Sequence, residues 1–425
     1  MKLNRISLAL FGLALLSTAI PAAGQTNYRV ETLPNLGGAD AAVNSINNRG
    51  WASGTADFAG DNVSHAALWV RGNLIDLGSL GGPNINSAVA WGVKANNEVI
   101  VGISDTNTDN PLGEYFSCWP FYASSSPTGK VCNGFRWRHN EMRPLPPFPG
   151  GYNSYATAAN NRGDIVGWAE NGVNDPTCVP PFQVRQFRAV IWHPDGTMQE
   201  LPPLPGDSTS AATAINDRGQ VVGISGSCDV AVGRFSARRA VLWEEGIPID
   251  VGSLGGVAWN TATAINNRGV VVGFSNLPPS ATFPPGARHY QAFIWTKETG
   301  MQSLGTLPGD IRSVANDIND DNQVVGTSRA PSGVTRAFLW KDGVMTDLNT
   351  GTLAGSPFLL AGDNINDRGE VGGYAYDSNA GDMPAYVAFP VSNPDRSDVA
   401  GGTATPQVTD KIRRARDRYE VGDDQ

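Results

Sequence analysis

The chain has 425 residues, of which 17% are charged, and a formal net charge of −9, so it lacks the basic field that a nucleic-acid partner requires. Its 50 glycines and 29 prolines make it rich in turns without reaching the composition of a disordered low-complexity chain. Length alone permits one large core or two or three ordinary domains, and only an internal repeat decides between them.

The chain opens with Lys2 and Arg5 ahead of an apolar run from Ile6 to Leu16, followed by the small residues Ala22, Ala23 and Gly24. That run is shorter than the ~20 residues a membrane-spanning helix needs. The expectation is a signal peptide over residues 1–24 and a secreted chain, periplasmic or extracellular, with no membrane span once matured. No Cys follows the cleavage region, so a lipoprotein is not indicated.

From Asn27 onwards the sequence repeats itself. "SINNRGWASG" at Ser45 returns as "AANNRGDIVG" at Ala158, "AINDRGQVVG" at Ala214, "AINNRGVVVG" at Ala264, "DINDDNQVVG" at Asp317 and "NINDRGEVGG" at Asn364, with a divergent "GVKANNEVIVG" at Gly92. Each copy is followed by a small-apolar-aromatic segment ("HAALW" at His65, "RAVIW" at Arg188, "RAVLW" at Arg239, "QAFIW" at Gln291, "RAFLW" at Arg336) and then by a segment such as "NLIDLGSLGG". Such short β-branched and aromatic runs between turn residues predict four strands per repeat and no helix. Asn or Asp caps each turn and Gly supplies the positive φ that closes it; Asn322, which replaces that Gly once, tolerates the same conformation.

Because the runs are apolar at successive positions, both sheet faces should be covered. Seven small sheets of this kind bury those faces by stacking radially, and the expected fold is all-β, a seven-bladed β-propeller of four-stranded antiparallel blades over residues 25–393. A linear solenoid is the rival. The termini favour the ring: "NYRVETLPNLGG" (Asn27 to Gly38) is a lone copy of the fourth strand, and the last repeat stops after its third. Tyr28 to Leu33 is therefore expected to pair with Ala385 to Val391 and close the circle.

The triplet of "HAALW", "INNRG-x-VVG" and "DLGSLGG" resembles the HAF repeat of predicted extracellular bacterial proteins. The resemblance reaches to about Ser392 and implies export and a repeat fold, with no defined activity. Only His65 keeps the motif His; Asn133, Arg188, Arg239, Gln291, Arg336 and Pro384 stand at the other copies.

In an up-and-down blade, the loop after the second strand and the crossing to the next blade share one side, and here that side carries nearly all the length variation. The insertions run from Ser104 to Val131, Trp168 to Phe187, Ser225 to Ala237 and Ser275 to Tyr290. The opposite side, with its tight turns, leaves little room for function. All four cysteines fall in the insertions: Cys118 and Cys132 in one loop, Cys178 and Cys228 in neighbouring blades. Three pairings are possible, and these two are favoured in an exported chain. Tyr115, Trp119, Phe121, Tyr122, Phe182, Phe283 and Tyr290, with Phe116 beside them, are the candidate binding residues for a carbohydrate or protein partner. The competing reading is a local core beneath the loops.

No catalytic signature stands out. GxSxG, a phosphate-binding loop and paired-His metal spacing are absent, "DINDDN" at Asp317 lacks the Gly and Glu of a calcium loop, and no metal or cofactor is expected. The carboxylates Asp76, Glu200, Asp250 and Asp347 recur by blade and read as structural. Glu114, Glu170, Asp175 and Asp229 are unique to insertions and offer the alternative of a glycoside hydrolase or polysaccharide lyase. The tail, residues 394–425, leaves the repeat and reads as a flexible charged end, with a short helix possible from Thr409 to Tyr419. The chain as a whole reads as a non-enzymatic, monomeric binding or scaffold protein working through its loop-rich face.

Overall fold

A computed structural model describes residues 26–89, 99–115, 118, 121–123, 126–231, 233–284, 287–392, 405–407, 409 and 412. The signal-peptide reading lies outside these residues, as do most of the divergent copy at Gly92 and most of the tail. Seven four-stranded antiparallel sheets follow one another along the chain as the blades of a propeller. Blade 1 comprises Gly37–Ile46, Trp51–Phe58, Ser64–Val70 and Asn73–Asp76. Blades 2 to 6 span 87–145, 154–201, 209–252, 261–305 and 312–347. Blade 7 takes three strands from the end of the repeat, Phe358–Ile365, Val371–Tyr376 and Ala385–Val391. Its fourth is Asn27–Thr32, in register from Asn27 opposite Val391 to Thr32 opposite Tyr386. The ring is closed by the strand expected to close it.

Burial follows distance from the axis. In blade 4 the first and second strands, Thr209–Ile215 and Val221–Gly226, are buried throughout. Outer strands such as Asn73–Asp76 are mostly exposed. Coverage of both faces thus holds for the inner strands and fails for the outer one, whose edge meets water and whose polar residues fit that position.

Two devices make neighbouring blades one body. The first is the repeat's leading Asn. The Asn266 Oδ1 accepts from the backbone N–H groups of Arg268 and Val270, both at 3.0 Å, closing its own turn. Its Nδ2 donates to the Asn319 carbonyl of the next blade at 3.0 Å. The same handover links Asn160 to Asn216, Asn216 to Asn266, Asn319 to Asn366, and Asn366 to Asn47 across the closure. The second is a bulge in the first strand. The register shifts between Ala212 and Ala214, and the Thr213 hydroxyl between them donates to Val222 O in its own blade and Ala262 O in the next. Asn322 has φ 59°, the left-handed turn residue read from the sequence.

The register tryptophans pack between blades, and Trp69, Trp192 and Trp243 each donate their indole N–H to a proline carbonyl, Pro34, Pro146 and Pro202, at 2.7 to 2.9 Å. From the tail, Ile412 is buried against Phe358, Leu360, Tyr374 and Met383.

Tyr28 anchors the closing strand. Its ring is 1% exposed, and its hydroxyl is buried without a hydrogen-bond partner. A donor that has left water and gained nothing costs free energy. Tyr28→Phe should therefore stabilise the chain by about 1 kcal/mol, read as a higher urea midpoint at unchanged slope. A lower midpoint would show that the hydroxyl is bonded in solution.

Candidate functional site

The side bearing the insertions, here the roof, is one connected surface. Cys118–Cys132 closes the blade 2 insertion, and Cys178–Cys228 ties those of blades 3 and 4, the pairing favoured from the sequence. Backbone bonds follow the same path: Tyr115 N–H donates to Pro181 O at 3.1 Å, Val179 N–H to Asp229 O at 2.8 Å, and Asp229 N–H to Thr177 O at 2.9 Å. Beyond blade 4, Asn260 N–H donates to Ala237 O at 2.8 Å. The blade 2 insertion also reaches across the axis, where Phe121 packs edge-on to Tyr155 of blade 3 and against the Trp259, Phe274 and Tyr290 cluster of blade 5.

The candidate aromatics divide between core and surface. Tyr122 and Tyr290 are buried and Phe121 is half-buried. Phe182 is 41% exposed, and Tyr115 meets it edge to face at 5.6 Å. Phe283 stacks on His289 at 3.9 Å. Trp119 and Phe116 lie outside the described residues. Among the described residues, six of the nine exposed large apolar side chains, Leu112, Val173, Val179, Phe182, Phe235 and Val257, belong to roof insertions and crossings.

The insertion carboxylates turn inward. Glu170, fully buried, accepts from Asn153 Nδ2, Gln183 Nε2 and the backbone N–H groups of Tyr152 and Asn153 at 2.8 to 3.0 Å. Glu114 crosses from blade 2 to accept from the backbone N–H groups of Val184 and Arg185 at 2.7 and 3.2 Å, and its other oxygen has no partner. Burial first, and the Glu114 charge second, push the Glu170 carboxyl up to about 8 against the donors of Asn153 and Tyr152. Asp105 is pushed up to about 7 by burial, opposed by the Thr128 hydroxyl and Lys130. Asp175 caps Thr177 and Asp229 caps Phe235.

The carboxylates that recur by blade pair with the motif residue of their own repeat: His65 with Asp76 at 2.8 Å, Arg336 with Asp347 at 3.0 Å, Arg239 with Asp250 and Arg188 with Glu200 at 3.8 Å. In blade 5 both members change together, and Ser303 Oγ donates to Gln291 Oε1 at 2.7 Å. That exchange gives the structural reading of these acids a physical basis.

The sequence did not single out a basic and aromatic cluster where blades 4, 5 and 6 meet on the roof. The Arg288 guanidinium lies 5.1 Å from the Trp259 ring and that of Arg312 5.8 Å from Tyr290. Trp259 takes a left-handed backbone, φ 56°, which is uncommon for a bulky residue. A signal for it existed: Trp259 is out of register with the repeating tryptophans. On the opposite side, expected to leave little room for function, the Asn and Asp turns of six blades ring an axial recess of 110 Å³. Among the described residues no group of three or more His, Cys, Asp or Glu could hold a metal ion. No helix among them is long and apolar enough to cross a membrane.

No protein-family model matches the sequence and no curated protein matches it. Among solved structures, the chain is similar to virginiamycin B lyase from Staphylococcus aureus, at 10% identity and TM-score 0.42 over 86% of this chain and all of that one. It is similar to AofleA from Arthrobotrys oligospora at 11% identity and TM-score 0.36, over 76% of this chain and 88% of that one. A puromycin hydrolase gives 9% identity and TM-score 0.43, over 84% and 52%. These likenesses concern the fold and nothing further.

Proposed function

We propose that the chain is an exported HAF-type repeat protein that binds a carbohydrate or protein partner through the roof of blades 2 to 5 without transforming it. The observation that carries this reading is the ledge of exposed apolar side chains on loops fixed by disulfides. Val179 and Phe235 are each 43% exposed, on segments joined by Cys178–Cys228. Surface of this kind on rigid loops suits binding, because little conformational entropy is lost when a partner docks. The fate of the insertion carboxylates favours binding over hydrolysis or lysis: glycosidic chemistry needs two carboxyl groups facing a substrate, and Glu114 and Glu170 are sealed among backbone amides.

The test is affinity electrophoresis over a panel of cell-surface polysaccharides, with reducing ends and unsaturated products assayed in parallel. Retardation of the wild type without product, and loss of retardation in the Phe182→Ser, Phe235→Ser double variant, is the expected result. Product release would replace binding with catalysis, and identical behaviour of the variant would remove the ledge from the reading.

A further inference from the structure

Blade 1 breaks the repeat at its corner away from the roof. In blades 3 and 7 the turn arginine pairs with the acid two residues on, Arg162 with Asp164 at 3.1 Å and Arg368 with Glu370 at 2.6 Å. In blade 1 that arginine is Arg49, and the residue two on is Trp51. The left-handed residue of the outer hairpin is acidic in blades 4 and 6, Glu245 at φ 51° and Asp342 at φ 50°; in blade 1 it is Arg71, also at φ 50°. An indole and a guanidinium thus stand where other blades carry carboxylates, in a chain whose net charge is −9. Arg49, Trp51, Val70, Arg71 and Asn73 line a recess of 670 Å³. Arg49, Arg71 and Asn73 are exposed, and Trp51 and Val70 are half-buried. Among the described residues no acid pairs with either guanidinium. Blade packing explains what recurs from copy to copy; it does not explain residues that one copy alone carries around an open recess.

We propose that this recess binds an acidic sugar, with the guanidinium groups of Arg49 and Arg71 on its carboxylate and the Trp51 indole against its ring. A volume of 670 Å³ is that of a small-molecule pocket, not of a site for a single ion. A guanidinium matches a carboxylate in geometry and charge, and a flat indole offers a large apolar face to a ring. Asn73 adds what a hydroxylated ligand uses: its Nδ2 donates to the Val70 carbonyl at 3.4 Å, which leaves the side-chain oxygen to accept from a hydroxyl. The site lies on the side opposite the roof and does not depend on the reading that the roof binds.

The probes are digalacturonate and diglucuronate, titrated into the full chain by calorimetry. Their methyl esters are the uncharged controls, benzoate is a ring-bearing acid without hydroxyls, and inorganic phosphate is an anion without a ring. At least one sugar acid should bind, ten-fold or more tighter than its ester, benzoate or phosphate, and more weakly as salt is raised. Trp51→Gln and Arg71→Glu install residues that the repeat itself uses at these places, Gln220 and Glu245. Each should weaken binding ten-fold or more at unchanged far-UV circular dichroism, whereas Phe182→Ser on the roof should leave it unchanged. Failure of both acids to bind, equal affinity for ester, benzoate or phosphate, or affinity untouched by both blade 1 variants would overturn the site. Loss of binding in Phe182→Ser alone would assign the ligand to the roof and overturn it too. Glu98, in the divergent copy of blade 2, lies outside the described residues, and Glu98→Gln should not change affinity. A ten-fold tighter complex in that variant would mean that Arg49 is committed to the chain's own acid, and the site would be discarded.

Discussion

Replacing Gly223 with alanine is expected to cost about 3 kcal/mol or more, the upper end of what overpacking a core exacts. Gly223 closes the "QVVG" of blade 4 on the second strand, with ordinary negative φ, so backbone freedom is not its purpose. The purpose is space. A Cβ there would fall well inside contact distance of the Ala211 carbonyl oxygen and crowd the Ala212 Cα. The bulge at Thr213 drives the first strand toward the second, and Thr213 in turn bonds the next blade. The obstruction is the backbone of the first strand, so no side chain can rotate away. The equivalent glycines Gly54, Gly167, Gly273, Gly326 and Gly373 meet the same carbonyl in their own blades, and Gly273→Ala should match Gly223→Ala. Gly196, which has nothing within 4 Å but sits at φ 89°, is the control: alanine there meets only backbone strain and should cost less. Urea unfolding of the three variants measures this, and a Gly223→Ala midpoint equal to that of Gly196→Ala would remove the bulge from the account.

This glycine marks the boundary of what the sequence discloses. The blade count, the turn at Asn322 and the pairing of Tyr28 to Leu33 with Ala385 to Val391, observed one residue earlier as Asn27–Thr32, were legible because each depends on local pattern and on counting strands. The Gly of "VVG" reads only as the end of an apolar run, since its reason lies in a bulge on a different strand. Asn266 was legible as a turn cap, but its bond to Asn319 exists only once blades are set around an axis. The roof loops were legible by their length and cysteines. Which of their aromatics would face outward was not: Phe121 and Tyr122 differ from Phe182 in nothing a sequence shows, and the crossing of the axis by the blade 2 insertion decides it. Trp259 and Arg312 are far apart in the chain and met no motif.

Between pH 4.5 and 8 the chain is expected to lose stability, by up to roughly 5 kcal/mol from the Glu170 carboxyl alone. The folded chain holds a proton on Glu170 up to about pH 8, whereas an unfolded glutamate releases it near its ordinary value of about 4.3. In that window the folded state binds more protons, so stability is fully present below it, declines through it, and is flat above. Asp105, pushed up to about 7, adds a slope of the same sign. Glu114→Gln separates the two. The amide keeps an oxygen for the N–H groups of Val184 and Arg185 and places an N–H₂ where the carboxylate had an oxygen without a partner. It also removes the charge that helps to raise Glu170, leaving burial opposed by the donors of Asn153 and Tyr152. The variant should therefore show a shallower decline of urea midpoint from pH 5 to 8 and a higher midpoint than wild type at pH 8. Asp105→Asn removes only its own share, ending near pH 7. Superimposable pH profiles for wild type and Glu114→Gln would mean that the Glu114 charge does not raise the Glu170 carboxyl and that the blade 2 insertion is held to blade 3 without electrostatic strain. A steeper decline in the variant would mean that the Glu114 charge does not help to raise the Glu170 carboxyl.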